Sequence, residues 1–175
     1  MKAVDPGSNP GGRIMKENKI TIRLMKERDI PTLSEIYVRA YEIYNKWEHW
    51  NSETAYKLFS YWLDRQPDLA FVAQYDRKVV GAFVAGIKPW WDGNHLVDGE
   101  LVVDPNYQNQ RIGTRLLKTV LEKAVKKYDA VVWEAVTFKE TEFPLSWYKK
   151  LGFDEINELT LIGGDVKKAL KQLEK

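Results

Sequence analysis

Within "VVDPNYQNQRIGTRLL", residues 102–117, an apolar strand-like run stops at Pro105, crosses a polar and basic turn, and opens a helix near Gly113. Ile112, Leu116, Leu117, Val120, Leu121, Ala124 and Val125 then recur at helical spacing as far as about Tyr128. A helix that starts directly after a strand and a short turn offers unpaired backbone N–H groups at the positive end of its dipole, which suits an anion. Gly113 allows close main-chain approach, and Arg111, Arg115 and Lys118 add cationic charge. The alternative is a surface loop whose glycine only eases a turn and whose basic residues are solvated. No Gly-Lys-Ser/Thr follows, and three spaced glycines are absent, so neither a Walker loop nor a dinucleotide fingerprint is present.

The rest of the pattern surrounds this stretch with alternating strands and helices. "ITIRL" from Ile20 to Leu24 alternates as a strand, and Asp29 and Pro31 open a helix carrying Leu33, Ile36, Tyr37, Ala40 and Tyr41. A second helix, "SETAYKLFSYWLD", begins with Ser52 as its cap, places Tyr56, Phe59, Trp62 and Leu63 on one face and ends before Pro67. "LAFVAQY", the turn "DRK" and "VVGAFVAGI" form a hairpin, and "HLVDGELVVD" adds a strand beside it. After the central helix, "DAVVWEAVTF" is a nearly continuous apolar strand of the kind buried on both faces. "PLSWYKKLG" is a short helix closed by Gly152, "ELTLIGG" a last strand, and "DVKKALKQLEK" a terminal helix with Asp165 at its start. The pattern predicts a mixed α/β domain over 15–175, with a central, mostly antiparallel sheet flanked by helices. Residues 1–14, rich in Pro and Gly without periodicity, are a disordered or non-native extension.

Composition excludes several functions. A chain of 175 residues, 44% hydrophobic, can bury a single sizeable core. With 27 Lys+Arg against 25 Asp+Glu, its net charge of +2 makes no electrostatic case for nucleic acid or membrane as the partner. No run of about 18 apolar residues predicts a membrane span. The absence of cysteine rules out disulfides, thiolate metal sites and a thiol nucleophile, and points to a cytoplasmic address. His49 and His95 stand apart from any ligand-like cluster, so no metal is expected.

A second motif, "SWYKKLGFDEI", follows in the later part of the chain. The order of strand, basic anion loop, helix, apolar strand and then Tyr148 before "KKLGF" resembles the GNAT superfamily of acetyl-CoA-dependent N-acetyltransferases. The family's loop pattern, Gln/Arg-x-x-Gly-x-Gly/Ala, is matched by Gln108, by Arg111 in place of the first glycine, and by Gly113. Its later signature falls on Tyr148, Leu151, Gly152 and Phe153, and the resemblance extends from about Ile20 to Leu161. Thr141 stands where the family often has asparagine, and "FKETEFPLS" is slightly longer than usual.

The resemblance implies acetyl-CoA as co-substrate, with its pyrophosphate on Gln108, Asn109, Gln110, Arg111, Ile112, Gly113 and Thr114 and its pantetheine paired like a strand with Leu101, Val102 and Val103. Tyr148 would protonate or hold the leaving thiolate, or else pack beside Trp147. A lysine-like acceptor amine of pKa about 10.4 is protonated at pH 7, and the deficit of about 4–5 kcal/mol calls for a base. Glu100 and Glu134 are the candidate carboxylates, with Asp98 two residues before Glu100 on the same strand face, against the alternative of structural ion pairs. Tyr41, Tyr44, Trp47, Trp50, Trp90 and Trp91 border the acceptor groove or, alternatively, build a core or homodimer contact. The acceptor would be a primary amine, whether a protein N-terminus, a lysine or a small molecule. The rivals are a non-catalytic acyl-CoA sensor on the same fold and an interaction module using the aromatic surface.

Overall fold

A computed structural model describes residues 20–42, 48–139 and 142–174, with only the backbone of Asp98. The proposed extension 1–14 lies outside the described residues. The chain forms two compact units, one ending at Ala135 and the other beginning at Val136.

The first unit contains β1 (Ile20–Leu24), α1 (Ile30–Tyr41), α2 (Ser52–Arg65), β2 (Phe71–Tyr75), β3 (Lys78–Trp90), β4 (Gly93–Val103), α3 (Ile112–Tyr128) and β5 (Ala130–Glu134). Its sheet has the order β1-β2-β3-β4-β5, antiparallel except for the final β4/β5 pair. The mixed, mostly antiparallel architecture expected from the strand pattern is therefore present.

Local chemistry fixes each junction. Asp29 accepts two hydrogen bonds from Arg23, at 2.6 and 2.8 Å, and a third from the Lys26 N–H at 2.9 Å, tying β1 to the start of α1. The cap of α2 is Asn51 rather than the expected Ser52. Asn51 has extended backbone and accepts from the Thr54 N–H at 2.9 Å, while Ser52 is already helical. The face that α2 buries is Ala55, Phe59 and Trp62, whereas Tyr56 is exposed. Between β2 and β3, Asp76 and Arg77 both take positive φ, 46° and 68°, as a two-residue hairpin turn requires.

Leu33, Ile36, Tyr37, Ala55, Phe59 and Trp62 pack with Val72, Ala82, Val84 and Val102 into one core cluster. α3 contacts β3 and β4 and buries Ile112, Leu116, Leu117, Val120 and Ala124. At the far end, Asp68 accepts from Lys127 and from the Tyr128 hydroxyl, both at 2.7 Å, which anchors the end of α3 to the turn before β2. Burial works against the Asp68 anion, but these donors and Gln66 outweigh it and hold its pKa near 2.

Two features shape the middle of the sheet. The β3/β4 register passes from Val84↔Glu100 to Gly86↔Val97, so β4 carries one extra residue at Asp98–Gly99. Gly99 has φ +104°, and a Cβ there would lie 2.0 Å from the Val84 carbonyl oxygen. Beyond this bulge β4 and β5 part, for their parallel pairing runs only from Asn94↔Ala130 to Val97↔Glu134. Among the described residues, no strand pairs with Glu100–Val103 on the β5 side. β5 is also shorter and more exposed than "DAVVWEAVTF" suggested, with Val131 at 56%. Among the described residues β5 pairs with one strand, β4, and it is not buried on both faces as expected.

The second unit holds α4 (Glu142–Lys150) and α5 (Val166–Leu173). α4 ends as Gly152 predicts: Gly152 has φ +87°, its N–H donates to Lys149 O at 3.0 Å, and the Phe153 N–H donates to Tyr148 O at 3.2 Å. Asp165 caps α5 by accepting from the Lys167 and Lys168 N–H groups at 2.9 and 3.1 Å. The expected strand "ELTLIGG" is not formed. Residues 158–164 make no ladder, and Leu161 and Ile162 are more than 80% exposed, because alternation alone supplies no partner edge.

Candidate active site

The anion loop grows out of β4 through a chain of local bonds. Asp104 binds Arg39 at 2.8 Å and accepts from the Asn106 N–H at 3.0 Å, fixing the turn Pro105–Tyr107. Gln108 donates to the Val103 carbonyl at 3.2 Å. Asn109 and Arg111 then adopt left-handed φ values of 61° and 58°. Arg111 occupies the position where the family pattern has its first glycine, and its backbone explains that preference, since a left-handed residue suits glycine best. Buried Ile112 anchors the start of α3 in the core.

The N-cap residue Arg111 makes no side-chain cap bond, so among the described residues the first-turn N–H groups of Ile112, Gly113 and Thr114 are not capped from that position. A Cβ on Gly113 would meet nothing closer than Val103 Cγ2 at 3.8 Å. Packing within the chain therefore does not demand glycine, and the space it leaves is open to a ligand. Gln110 carries a buried Oε1 without a hydrogen-bond partner among the described residues. Of the cations expected nearby, Arg115 donates to the Ile20 carbonyl at 2.9 Å and Lys118 approaches Glu122 at 3.7 Å. Leu101, Val102 and Val103 lie on the part of β4 beyond the bulge. Val102 points into the core.

Glu100 sits immediately after Gly99, at the point where β4 and β5 diverge. Its Oε2 accepts from the Tyr37 hydroxyl at 2.7 Å and from the Tyr41 hydroxyl at 3.3 Å. Both tyrosines are pushed well above the usual phenol range, first by burial and then by the Glu100 charge, so both remain O–H donors. Their rings stack at 4.2 Å, and Trp50 and Phe59 meet Tyr37 edge-on at 5.0 and 5.5 Å. Of the aromatic residues assigned to the acceptor groove, Tyr41 and Trp50 thus belong to a cage around this carboxylate. Trp90 and Trp91 are exposed at the β3/β4 turn, and Tyr44 and Trp47 lie outside the described residues. The sequence places Tyr37 only in the helical repeat of α1, because its partner is 63 positions away.

Glu134 has different partners. It accepts from Lys88 at 2.9 Å and is bonded to His95 Nδ1 at 2.5 Å, while His95 Nε2 reaches Asp92 at 2.8 Å. Lys88, aided by His95, holds the Glu134 pKa below the ordinary range. Burial disfavours the His95 imidazolium, yet its bonds to Glu134 and Asp92 prevail and raise its pKa. His95, expected to be isolated, is thus the centre of a carboxylate–imidazole–carboxylate row. Among the described residues no group of three or more His, Asp and Glu is placed to hold a metal.

Tyr148 belongs to the second unit. It lies in the last turn of α4, with Trp147 and Phe153 at ring distances of 5.0 and 6.4 Å. Thr141 lies outside the described residues.

Residues 30–153, a span that includes α1, the bulge, the anion loop and Tyr148, match the model of the acetyltransferase (GNAT) family. The chain belongs to the GNAT family. It is 30% identical over 141 residues to an uncharacterised N-acetyltransferase of Methanocaldococcus jannaschii, covering 77% of this chain and 61% of that protein. It is 31% identical over 107 residues to N-alpha-acetyltransferase 30 of Dictyostelium discoideum, covering 59% of this chain and 57% of that one. The GNAT chain thus spans about three fifths of the length of these curated relatives. A crystal structure of a Pyrococcus horikoshii protein superposes with a TM-score of 0.66 at 25% identity, covering 82% of this chain and 92% of that one.

Proposed function

We propose that this GNAT protein transfers an acetyl group from acetyl-CoA to a primary amine. The observation that carries this reading is the start of α3, where the Arg111 side chain makes no cap bond and a Cβ on Gly113 would meet nothing closer than Val103 Cγ2 at 3.8 Å. Gln108 to Thr114 would hold the pyrophosphate, and the unpaired edge of β4 at Leu101–Val103 would take the pantetheine as a strand. Acetyl-CoA supplies the activated thioester. The chain's own residues then have three tasks: to align the thioester along β4, to take a proton from the attacking amine, and to stabilise the departing thiolate.

Glu100 is assigned the proton-accepting task, because it stands at the divergence of β4 and β5. Glu134 is engaged by Lys88 and His95, and its depressed pKa makes it a weaker base. Tyr148 is assigned to the thiolate, on the strength of its place in the family signature. The likeness to a protein named as an N-alpha-acetyltransferase favours a peptide amino terminus as acceptor.

Acetyl-CoA at about 100 times its Kd should stabilise the fold by about 2.7 kcal/mol, visible as a rise in Tm. Release of free CoA should then appear with at least one member of a panel of free-amino-terminus peptides, lysine peptides and small amines. No Tm shift at millimolar acetyl-CoA would overturn the binding reading. A shift without CoA release from any amine would replace the enzyme by an acyl-CoA sensor.

A further inference from the structure

A carboxylate oxygen has two lone-pair sites, and Oε2 of Glu100 already accepts two hydroxyls, from Tyr37 at 2.7 Å and from Tyr41 at 3.3 Å. Both donors lie on one face of α1, four positions apart, with their rings stacked. Tyr37 is 1% exposed and wedged between Trp50 and Phe59, so its hydroxyl cannot swing away without unpacking the core. On the β4 side, the Glu100 backbone is paired with Val84 next to the Gly99 bulge, which fixes the carboxylate's point of departure. A side chain that would otherwise sample several rotamers is thereby held at both ends.

We propose that Tyr37 and Tyr41 are positioning residues for the transfer reaction: by donating to Oε2 they hold the Glu100 carboxylate in one orientation beside the Gly99 bulge and set the pH at which it becomes a base. The inference rests on Glu100 being the general base. Each O–H bond favours the charged carboxylate, so each moves proton release to lower pH. The titratable groups set against this cluster include the two tyrosines from α1 and Glu48 ahead of α2. Glu48 acts on Tyr41 and accepts from Trp50 Nε1 at 2.6 Å. The facing β3 residue is apolar Val84, and α2 contributes Phe59.

The test combines a titration that needs no acceptor with one that does. In the full chain labelled with carboxyl-¹³C glutamate, Glu100→Gln identifies the Glu100 signal by its loss. Tyr41→Phe and Tyr37→Phe are each expected to move the midpoint of that signal up by about one pH unit, and unchanged midpoints in both would overturn the proposal. The acid limb of kcat/KM, measured with acetyl-CoA and an active amine from the panel, should move by the same amount in the same direction. If Glu100→Gln keeps the wild-type acid limb while the tyrosine variants still move the Glu100 midpoint, the general-base assignment fails and the tyrosine clamp stands. A variant with a lower Tm but an unmoved midpoint would show packing alone and sink the inference.

Discussion

Gly99 and the Val84 carbonyl oxygen approach so closely that any side chain at position 99 would have to displace the β3 backbone. Gly99→Ala would add a contact of 2.0 Å and force alanine to φ +104°. A loss of roughly 3 kcal/mol is expected, which for a chain of this size lowers Tm by about 6–12 °C in a thermal melt. An unchanged Tm would show that β4 tolerates a regular strand at this point.

Gly113 should behave in the opposite way. Gly113→Val meets only Val103 Cγ2 at an ordinary contact distance, so stability should stay within about 1 kcal/mol of wild type. The rise in Tm with acetyl-CoA should vanish, since the added side chain stands where the phosphates need the backbone. Normal binding by a folded Gly113→Val protein would remove the loop from the cofactor site.

The His95 row predicts a specific pH dependence. Its folded pKa is raised above the ordinary 6.5, so its stabilising effect is complete below that value and is lost as pH rises through the folded pKa. The Tm gap between wild type and His95→Gln should therefore be widest near pH 6 and shrink progressively above pH 7. A gap constant from pH 6 to 9 would mean that His95 is neutral throughout.

Tyr148→Phe separates chemistry from binding. Loss of thiolate stabilisation alone should lower kcat by about 10- to 1000-fold and leave acetyl-CoA affinity nearly unchanged. Equal losses in both, seen by single-turnover kinetics and calorimetry, would assign the hydroxyl to cofactor binding.

The helices and hairpins of the first unit were legible because their signals are local. The apolar spacing from Ile112 to Ala124 needs only one turn of memory, and Asp76–Arg77 is a turn in itself. The uncapped loop was legible for the same reason. The cage around Glu100 was not, because Tyr37 and its partner meet only after two helices and three strands have been placed. Nor was the row from Asp92 through His95 to Glu134, which depends on the parallel pairing of β4 with β5. Gly99 within "HLVDGELVVD" did carry a readable sign, since an isolated glycine in a strand marks a bulge or a close backbone approach. "ELTLIGG" carried a misleading one: its alternation is strand-like, but Leu161 and Ile162 are left exposed and a Cβ added at Gly163 or Gly164 would meet nothing within 4 Å.

The strand order also dictates a sequence of assembly. Tyr75 pairs with Lys78 and Trp90 with Gly93 across hairpins three residues apart, whereas Asn94 finds Ala130 only 36 positions on, beyond the whole of α3. Closing the longer loop costs about 2 kcal/mol more in chain entropy, so the β2-β3-β4 meander is expected to form before β5 docks. The same asymmetry persists in the native state, where β5 is held to β4 by only a few pairs. Amides of Val131–Trp133 should thus exchange with solvent earlier than those at the centre of β3. The divergence of β4 and β5 beside Glu100 thus lies between the part of the sheet expected to form first and the strand expected to dock last, so β5 is the strand expected to yield if that edge takes a bulky thioester as proposed.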